Sequence, residues 1–418
     1  MTDIPEEKDE TRNMRDGTRR HTVSFNRGWL FCMRNPDDLE PEEPRPEASP
    51  LPFASEKWQS VTIPHDFLIG DVRNLFRSAI GWYTKCFSHR IIPGKREWLS
   101  FDGVYMDSRV YINGRPVWEW KNGYTGFIVD ITDDLRDGEN TVWVSCTHIS
   151  PNSRWYSGAG IYRNVRRISV DSHHILPNGI YIHCTGTGKE ARVEIETAVS
   201  SPGVEIMHRI IDSAGSDVAS GRGGSDQTLM VPNPKFWSPE DPVLYTLMTE
   251  LRADGRVTDR VDTRFGFRET RFDPDEGFFL NGKHRKINGV CLHHDQGALG
   301  AAFHVAAARR QLEIMKAMGA DAVRCAHNPM APEFYDLCDE LGLLVMSELT
   351  DVWKKPKTRY DYARFFNEWI EKDVKSWITS ERNHPSIILW SVGNEIYDTH
   401  ESPEGLKTLR KLEALVRQ

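Results

Sequence analysis

Polar residues suited to acid–base chemistry follow four predicted strands in the last third of the chain. Carboxylic acids can donate and accept protons during a reaction, and imidazoles and amides bind hydroxyl groups. A tryptophan face packs against the C–H groups of a sugar ring. Together these groups suit a neutral substrate rich in hydroxyls. In chain order they are His293, His294 and Asp295; His327 and Asn328; Ser347, Glu348, Asp351 and Trp353; and Asn394 and Glu395.

The stretch 383–395, which ends at Glu395, is the most informative of the four. Pro385 has a fixed backbone φ angle and begins a new element of secondary structure. Ile387–Trp390 is apolar throughout, which is typical of a parallel strand buried on both faces. In a barrel of alternating strands and helices, the C-terminal ends of the strands carry the chemistry. We therefore predict that Glu395 is a general acid/base. The alternative is a structural glutamate stabilised by a helix N-terminus.

Several of the other residues also have structural interpretations. His327 precedes Asn-Pro and is also explained by a turn, and Glu348 by an ion pair. Adjacent strand residues point to opposite faces, so at most one of His293 and His294 is expected to serve the site, and Asp295 shares a face with His293. A metal site built from these residues is disfavoured because the spacing H-E-x-x-H is absent. The sequence also lacks a serine nucleophile elbow, a P-loop and a dinucleotide-binding fingerprint.

Strand-like and helix-like stretches alternate from residue 271 onward, which predicts a parallel sheet or a (β/α)8 barrel. A complete barrel takes about 250 residues, so 271–418 is predicted to be its N-terminal half. A half barrel exposes strand edges and apolar lining, so we expect a broken gene, a shortened chain or one piece of a longer one. The predicted strands are Lys286–Leu292, Ala322–Cys325, Leu343–Met346 and Ile387–Trp390, and the predicted helices are Ala306–Met318, Pro332–Leu341, Phe365–Ser380 and Gly405–Val416.

The chain before residue 271 predicts two all-β domains. Residues 21–172 contain short alternating strands separated by frequent turns, which favours a sandwich of the jelly-roll type. Residues 173–270 have the length and strand content of an immunoglobulin-like sandwich. Pro36–Pro52 is acidic and rich in proline, which predicts an extended, solvated loop. Residues 1–20 are polar and charged and predict a disordered tail.

Composition excludes several classes of partner. The 418 residues carry a formal net charge of −8, which argues against nucleic acid because its binders present a basic face. No apolar run approaches the roughly 20 residues of a membrane span, so no membrane partner is expected. The N-terminus lacks the apolar segment of a secretory signal. The seven cysteines are scattered without a C-x-x-C pair, which favours free thiols in a cytoplasmic protein over disulfides or a zinc site.

Six motifs along the chain identify a family resemblance. They are Ile63-Pro64-His65-Asp66, Ser153-Arg154-Trp155-Tyr156-Ser157-Gly158-Ala159-Gly160-Ile161-Tyr162-Arg163, Phe236-Trp237-Ser238-Pro239, Phe265-Gly266-Phe267-Arg268, Asn383-His384-Pro385-Ser386 and Gly393-Asn394-Glu395. With them the chain resembles glycoside hydrolase family 2, the family of β-galactosidases, β-glucuronidases and β-mannosidases, from about Val23 to its C-terminus. The order of a sugar-binding jelly roll, an immunoglobulin-like sandwich and a barrel is similar to that family. The stretches 153–158 and 351–353 look most like β-galactosidases.

The resemblance implies a retaining mechanism, in which two carboxyl groups about 5 to 5.5 Å apart flank the glycosidic oxygen. Glu395 matches the family's acid/base, and its pKa must be high enough to hold a proton at neutral pH. Asn394 matches the amide that binds the sugar 2-hydroxyl. His293 and His327 match imidazoles that bind the sugar in the −1 subsite.

The resemblance also implies further substrate-binding residues and marks what differs. We expect Asp295, Glu348 and Trp353 at the strand ends, and Asp66 and Arg154 reaching the barrel mouth from the jelly roll. The histidine that helps to bind Mg²⁺ in some β-galactosidases has no match, so neither a metal nor a cofactor is expected. The family's nucleophilic glutamate follows barrel strand seven, which this chain does not reach. The chain is therefore expected to be inactive alone.

Three hypotheses about function remain open. The first is a β-galactosidase-like hydrolase that acts on an oligosaccharide or another β-glycoside, or a β-glucuronidase or β-mannosidase of the same family. The second is a carbohydrate-binding fragment without catalysis. The third is a fragment that is active with a second chain carrying the C-terminal half, and a homo-oligomer is also compatible with the sequence. The absence of an obvious basic cluster favours a neutral sugar over a uronate.

Overall fold

A computed structural model describes residues 20–36, 53, 57–186, 188–400 and 403–418. Within these ranges the chain forms 24 strands and four α-helices. The predicted disordered tail and the predicted proline-rich loop lie outside the described residues, apart from Arg20 and Pro36.

The first part of the chain is a sandwich of two antiparallel sheets, as predicted. One sheet has the order β3-β2-β4-β9-β6-β7 and the other β1-β10-β5-β8. Their inner faces enclose an aromatic core that includes Trp29, Tyr83 and Phe101, each with almost no exposed surface. The strands are β1 His21–Ser24, β2 Trp29–Arg34, β3 Gln59–Val61, β4 Ala79–His89, β5 Lys95–Phe101, β6 Ser108–Ile112, β7 Arg115–Trp120, β8 Phe127–Asp130, β9 Gly138–His148 and β10 Val165–Asp171.

Seven further strands form a second, smaller sandwich, which confirms the immunoglobulin-like prediction. Its sheets have the orders β11-β12-β15 and β14-β13-β16-β17. Alternate residues of β12, such as Val193 and Ile195, point into the shared core. The strands are β11 Ile175–Thr185, β12 Glu190–Val199, β13 Glu205–Ile211, β14 Asp217–Gly223, β15 Asp226–Pro232, β16 Tyr245–Ala253 and β17 Arg256–Phe265.

The remainder is a partial barrel, as predicted, preceded by a three-stranded antiparallel sheet. Four parallel strands lie in the order β21-β22-β23-β24 and alternate with helices. None of the helices in the described ranges is long and apolar enough to cross a membrane. The elements are β18 Thr270–Asp273, β19 Gly277–Leu280, β20 Lys283–His284, β21 Gly289–Leu292, α1 Val305–Ala317, β22 Ala322–Cys325, α2 Pro332–Leu341, β23 Leu344–Glu348, α3 Phe366–Glu381, β24 Ile387–Ser391 and α4 Pro403–Val416.

Local sequence explains where the barrel elements begin and end. Helix α2 starts at Pro332, whose missing N–H costs nothing at the first helical position. It ends at Gly342 with φ 68°, and a Cβ there would lie 2.5 Å from the Pro239 carbonyl oxygen, so glycine is required. The first parallel strand is shorter than the predicted Lys286–Leu292, because the Asp321 carboxylate accepts from the Asn288 backbone N–H just before β21.

The first domain is fixed to the barrel by buried polar contacts. The Arg163 guanidinium donates to the carbonyl oxygens of Pro329 at 2.7 Å and Met330 at 3.0 Å, in the loop that follows β22. On the other side, the buried carboxylate of Asp373 on α3 accepts from the hydroxyls of Thr125 and Tyr362. Burial raises the pKa of Asp373 to about 7, against the hydrogen bonds it accepts.

As pH rises, the Asp373→Asn variant should become more stable than the parent chain by an increasing amount. The folded-state pKa of about 7 lies above the ordinary value of 3.8, so the folded state loses stability between these two values as the carboxyl ionises. Asp373→Asn removes that loss, which is on the order of 2 to 4 kcal/mol. The measurement is the denaturant midpoint of both proteins from pH 4 to pH 8.

Asp133→Asn, at an exposed position, is the control and should show no such trend. A stability difference between Asp373→Asn and the parent that stays constant from pH 4 to pH 8 would contradict the prediction.

Candidate functional site

The C-terminal ends of β21–β24 lie side by side, and the side chains at and just beyond them form a surface here called the mouth. Parallel pairing places Glu348, the last residue of β23, opposite Ser391, the last residue of β24. A loop of the first domain lies over the mouth and adds Arg154 and Trp155. The candidate site is therefore assembled from two domains.

Glu348 anchors the inner part of the mouth. Its side chain is 0% exposed and accepts hydrogen bonds from Arg324 at 2.9 Å, His327 Nδ1 at 2.6 Å and Ser391 Oγ at 2.7 Å. Burial alone raises the pKa of a carboxyl, but these three donors outweigh it and hold the pKa of Glu348 below its usual value. Glu348 is thus an ionised group that orients Arg324 and His327.

Asp351 anchors the outer part of the mouth. It accepts two hydrogen bonds from Arg154, Nε at 3.2 Å and Nη2 at 2.8 Å, one from Asn394 Nδ2 at 2.8 Å and one from Lys357 Nζ at 2.8 Å. Burial opposes ionisation here too, and the same donors outweigh it and lower the pKa of Asp351. Asp351 therefore joins the first domain to the loops after β23 and β24.

Asn394 connects the two anchors. Its side-chain oxygen accepts from Arg324 at 2.9 Å, and its side-chain nitrogen donates to Asp351 at 2.8 Å. Its backbone oxygen accepts from Lys357, whose side chain is 1% exposed, at 2.7 Å. Arg324, Lys357 and Asp351 together fix the turn that carries the next residue, Glu395.

Glu395 is the outermost carboxylate of the group. It has φ 43°, its side chain is 64% exposed, and it accepts a hydrogen bond from Arg154 Nη1 at 2.9 Å. The Arg154 guanidinium lowers the pKa of Glu395. The expectation of a pKa high enough to hold a proton at neutral pH is therefore wrong for this arrangement, because the carboxylate faces solvent and a cation.

An aromatic wall completes the mouth. The Trp155 ring lies 5.0 Å from the His293 ring and 5.6 Å from the His327 ring, and the two imidazoles are themselves 5.6 Å apart. The Trp155 indole N–H donates to the Tyr124 hydroxyl at 3.2 Å. Trp155 was not among the predicted site residues, although the motif Ser-Arg-Trp-Tyr-Ser-Gly contains it.

The two adjacent histidines separate as strand geometry predicts. His293 lies at the mouth, whereas His294 is packed against the rings of Tyr124 and Tyr162, and its Nε2 lies 2.9 Å from the Ser157 carbonyl oxygen. Burial lowers the pKa of His294 to about 3. Burial and then His327 also lower the pKa of His293, and the half-buried Asp295 opposes that change.

Three of the predicted substrate-binding residues are buried away from the mouth surface. Trp353 is 2% exposed and donates its indole N–H to the Val392 carbonyl oxygen, so it is a core residue. Asp66 accepts hydrogen bonds from the backbone N–H groups of Ala159 and Ala301 and from the Tyr156 hydroxyl. Because Ala301 belongs to the barrel, Asp66 joins the first domain to it. Glu348 has no exposed surface and acts through its partners. In this structure all three make structural contacts, and their assignment as substrate-binding residues remains a prediction.

The structure brings five of the predicted residues together at the mouth: Arg154, Asn394, His293, His327 and Glu395. Sequence reasoning missed Arg324 and Lys357, each of which donates to an anchor carboxylate. Both are basic residues inside or after predicted strands, and that placement was a usable signal. A pocket between the first domain and the barrel adjoins Arg154.

One group in the described part of the chain has metal-ligand spacing, and it lies away from the mouth. It consists of Asp336, Asp339 and His384, near the N-terminal end of β24. His384 Nδ1 lies 2.6 Å from the Asp339 carboxylate. Burial would lower the pKa of His384, but Asp339 outweighs it and raises the pKa. Asp339 and His384 therefore form a close hydrogen-bonded pair within this group.

Comparison with known families identifies all three parts of the chain. The model described as "Glycosyl hydrolases family 2, sugar binding domain" matches residues 51–170. "Glycosyl hydrolases family 2" matches residues 174–268. "Glycosyl hydrolases family 2, TIM barrel domain" matches residues 274–414.

Individual relatives agree with the family models. The chain is 38% identical to "Beta-galactosidase BoGH2A" of Bacteroides ovatus over 91% of this chain and 47% of that protein. It is 36% identical to a "Putative beta-glucuronidase" of Formosa agariphila over 92% and 38%. A solved family 2 member from Bacteroides cellulosilyticus superimposes with a TM-score of 0.86 at 32% identity, covering 95% of this chain and 54% of that one. The chain thus spans about half the length of these relatives or less.

Glu348→Gln should destabilise the chain by about 2 to 4 kcal/mol, because it leaves the charged Arg324 and its neighbours without their buried anion. The measurement is the free energy of unfolding from denaturant titration. Glu371→Gln is the matched control, since Glu371 pairs with Lys411 at the surface and such a pair contributes at most about 1 kcal/mol. Equal losses in the two variants would contradict the role of Glu348 as an anchor.

Proposed function

Because the chain belongs to glycosyl hydrolase family 2, we propose that it forms the sugar-binding and proton-donating part of a retaining β-glycosidase of the β-galactosidase type. The observation that carries the proposal is the Asn394-Glu395 turn, held at the mouth by Asp351 and by Arg154 of the sugar-binding domain. A glycosidase needs a positioned carboxyl group at the edge of a sugar-sized site, and Glu395 is the exposed carboxylate at this position.

The roles in the reaction follow from the groups at the mouth. Glu395 donates a proton to the glycosidic oxygen as the bond to the leaving group breaks, and later takes a proton from the water that attacks the sugar. A second carboxylate must attack the anomeric carbon in the first step. Glu348 and Asp351 are each saturated by hydrogen-bond donors, so we expect the attacking carboxylate to lie outside the described residues.

The remaining residues suit the sugar itself. His293 and His327 offer imidazole nitrogens to its hydroxyls, and the Asn394 amide is placed to exchange a partner for the 2-hydroxyl. The half-buried Trp155 ring beside the two imidazoles supplies an apolar face for C–H groups.

The balance of charge at the mouth favours a neutral sugar such as galactose over a uronate. Three cations lie there, and each faces a carboxylate: Arg324 pairs with Glu348, Lys357 with Asp351, and Arg154 with Asp351 and Glu395. Among the described residues of the mouth, no cation is left over for a substrate carboxylate. β-Glucuronidase and β-mannosidase activity are the alternatives within the family.

The proposal is tested by hydrolysis of nitrophenyl β-galactoside. We expect turnover by a longer version that carries a complete barrel, and no turnover by the 418-residue chain. Glu395→Gln in the longer version should lower kcat by about 10² to 10⁴, because the glycosyl-enzyme intermediate loses the general base that activates water. Undiminished hydrolysis by Glu395→Gln would contradict the assignment. Galactose binding by both versions without hydrolysis by either would favour the carbohydrate-binding alternative.

Trp155→Ala should weaken galactose binding by the 418-residue chain about tenfold, equivalent to about 1.4 kcal/mol, because the sugar loses an apolar face. Isothermal titration calorimetry measures the change. Trp118→Ala is the matched control, since Trp118 is an exposed tryptophan of β7 in the same domain. Unchanged affinity in Trp155→Ala, or an equal loss in Trp118→Ala, would exclude the aromatic wall from the sugar site.

A further inference from the structure

Arg154 contacts two carboxylates with two different edges of one guanidinium group. Its Nε and Nη2 donate to the two oxygens of Asp351 at 3.2 and 2.8 Å, and its Nη1 donates to Glu395 Oε2 at 2.9 Å. A planar guanidinium can make such a fork and an additional bond at the same time, whereas a lysine ammonium lacks the fixed geometry. A residue of the first domain therefore holds the proposed proton donor of the barrel.

The two contacts of Arg154 differ in how firmly they are held. Asp351 is mostly buried and is also fixed by Asn394 and Lys357, so the forked edge has a rigid partner. The Glu395 side chain is largely exposed and, of the described residues, it is Arg154 that donates to it. The Arg154–Glu395 contact can thus open while the Arg154–Asp351 contact stays closed.

The closed contact is unsuited to the first step of the proposed reaction. The charged groups that face Glu395 are Arg154 from the first domain and Asp351 and Lys357 from the loop after β23. Two of these three are cations, and Arg154 in particular lowers the pKa of Glu395. A general acid must carry its proton when it meets the glycosidic oxygen. The contact must therefore open before the proton can be donated.

We propose that Arg154 is a positioning residue that holds the Glu395 carboxylate toward the sugar-binding domain. The contact ends when the leaving group of a bound glycoside displaces this carboxylate from Arg154. This inference rests on the proposed function. A leaving-group sugar that enters beside Glu395 separates its Oε2 from Arg154 Nη1. The freed N–H then donates to a hydroxyl of that sugar, and the carboxyl group, without its nearest cation, takes up a proton from solvent.

The hold of Arg154 is tested by carbon-13 NMR of the 418-residue chain labelled in glutamate side chains, with the Glu395 signal assigned by its loss in Glu395→Gln. Arg154→Met should move the titration midpoint of Glu395 upward, and Arg154→Lys should move it less because the charge remains. Arg96→Met is the control, since Arg96 pairs with Asp130 at a surface site, and it should leave the midpoint unchanged.

An unchanged midpoint in Arg154→Met overturns the inference. Salt provides a second measurement that needs no variant. The Debye length falls to about 3 Å at 1 M salt, so an exposed ion pair is weakened. Raising the salt concentration to 1 M should move the midpoint of Glu395 upward in the parent chain. A midpoint that does not respond to salt overturns the inference as well, even if Arg154→Met does not fold.

Displacement by the leaving group is tested with two sugars that are not hydrolysed. Galactose occupies the −1 subsite alone and should leave the Glu395 midpoint unchanged, whereas a sulfur-linked galactosyl disaccharide also occupies the leaving-group side and should raise it. A disaccharide that binds without moving the midpoint overturns the displacement. Failure of both sugars to bind contradicts the proposed function. The positioning role of Arg154 is tested separately, by comparing the Glu395 midpoint of Arg154→Met with that of the parent in the absence of sugar.

Discussion

The candidate site depends on the hydrogen bonds that the Asp351 carboxylate accepts. The carboxylate accepts hydrogen bonds from a residue of the first domain, from the turn after β24 and from a buried lysine of its own loop. A carboxylate so well supplied with donors remains ionised although it is mostly buried. Without it, Arg154 and Lys357 would face each other without an anion, and the position of Glu395 would no longer be set by both domains.

Glu348, at the end of the strand that precedes Asp351, repeats this arrangement in the inner part of the mouth. Glu348 collects Arg324, His327 and Ser391, and Asn394 connects the two carboxylates through its amide. Charges of opposite sign are therefore matched inside the framework, and the groups left toward solvent are imidazoles, an indole and the carboxylate of Glu395. Such a surface is suited to binding a polyol and transferring a proton to it.

The sequence was sufficient to predict the architecture, because each type of element has its own local pattern. The strand Ala322–Cys325 and the helix Pro332–Leu341 were predicted with the bounds that the structure shows. The helix has clear ends because it begins at a proline and is followed by a glycine. The motifs that follow the strands likewise indicated Glu395, Asn394, His293 and His327. The bounds of the three domains and the roles of these residues in a reaction remain predictions.

Most contacts between residues far apart in the chain could not be predicted from the sequence. Nothing local to Trp353 shows that its indole N–H bonds to the backbone of residue 392, or that Asp66 serves backbone groups 93 and 235 residues away. Arg324 was missed for the same reason, since its partners Glu348 and Asn394 come from the strand β23 and the turn after β24. Lys357 bonds to Asp351 of its own loop and also to the backbone of Asn394, 37 residues away. The lowered pKa of Glu395 also follows from a contact with Arg154, 241 residues away in the chain.

The most direct test of Glu395 as the proton donor uses Glu395→Ala in a longer version with a complete barrel. Activated dinitrophenyl β-galactoside needs no proton on its leaving group, whereas methyl β-galactoside does. We expect the variant to keep the first step on the activated substrate, to lose turnover of the methyl glycoside, and to form β-galactosyl azide when azide is added. Equal loss on both substrates without an azide product would contradict this expectation.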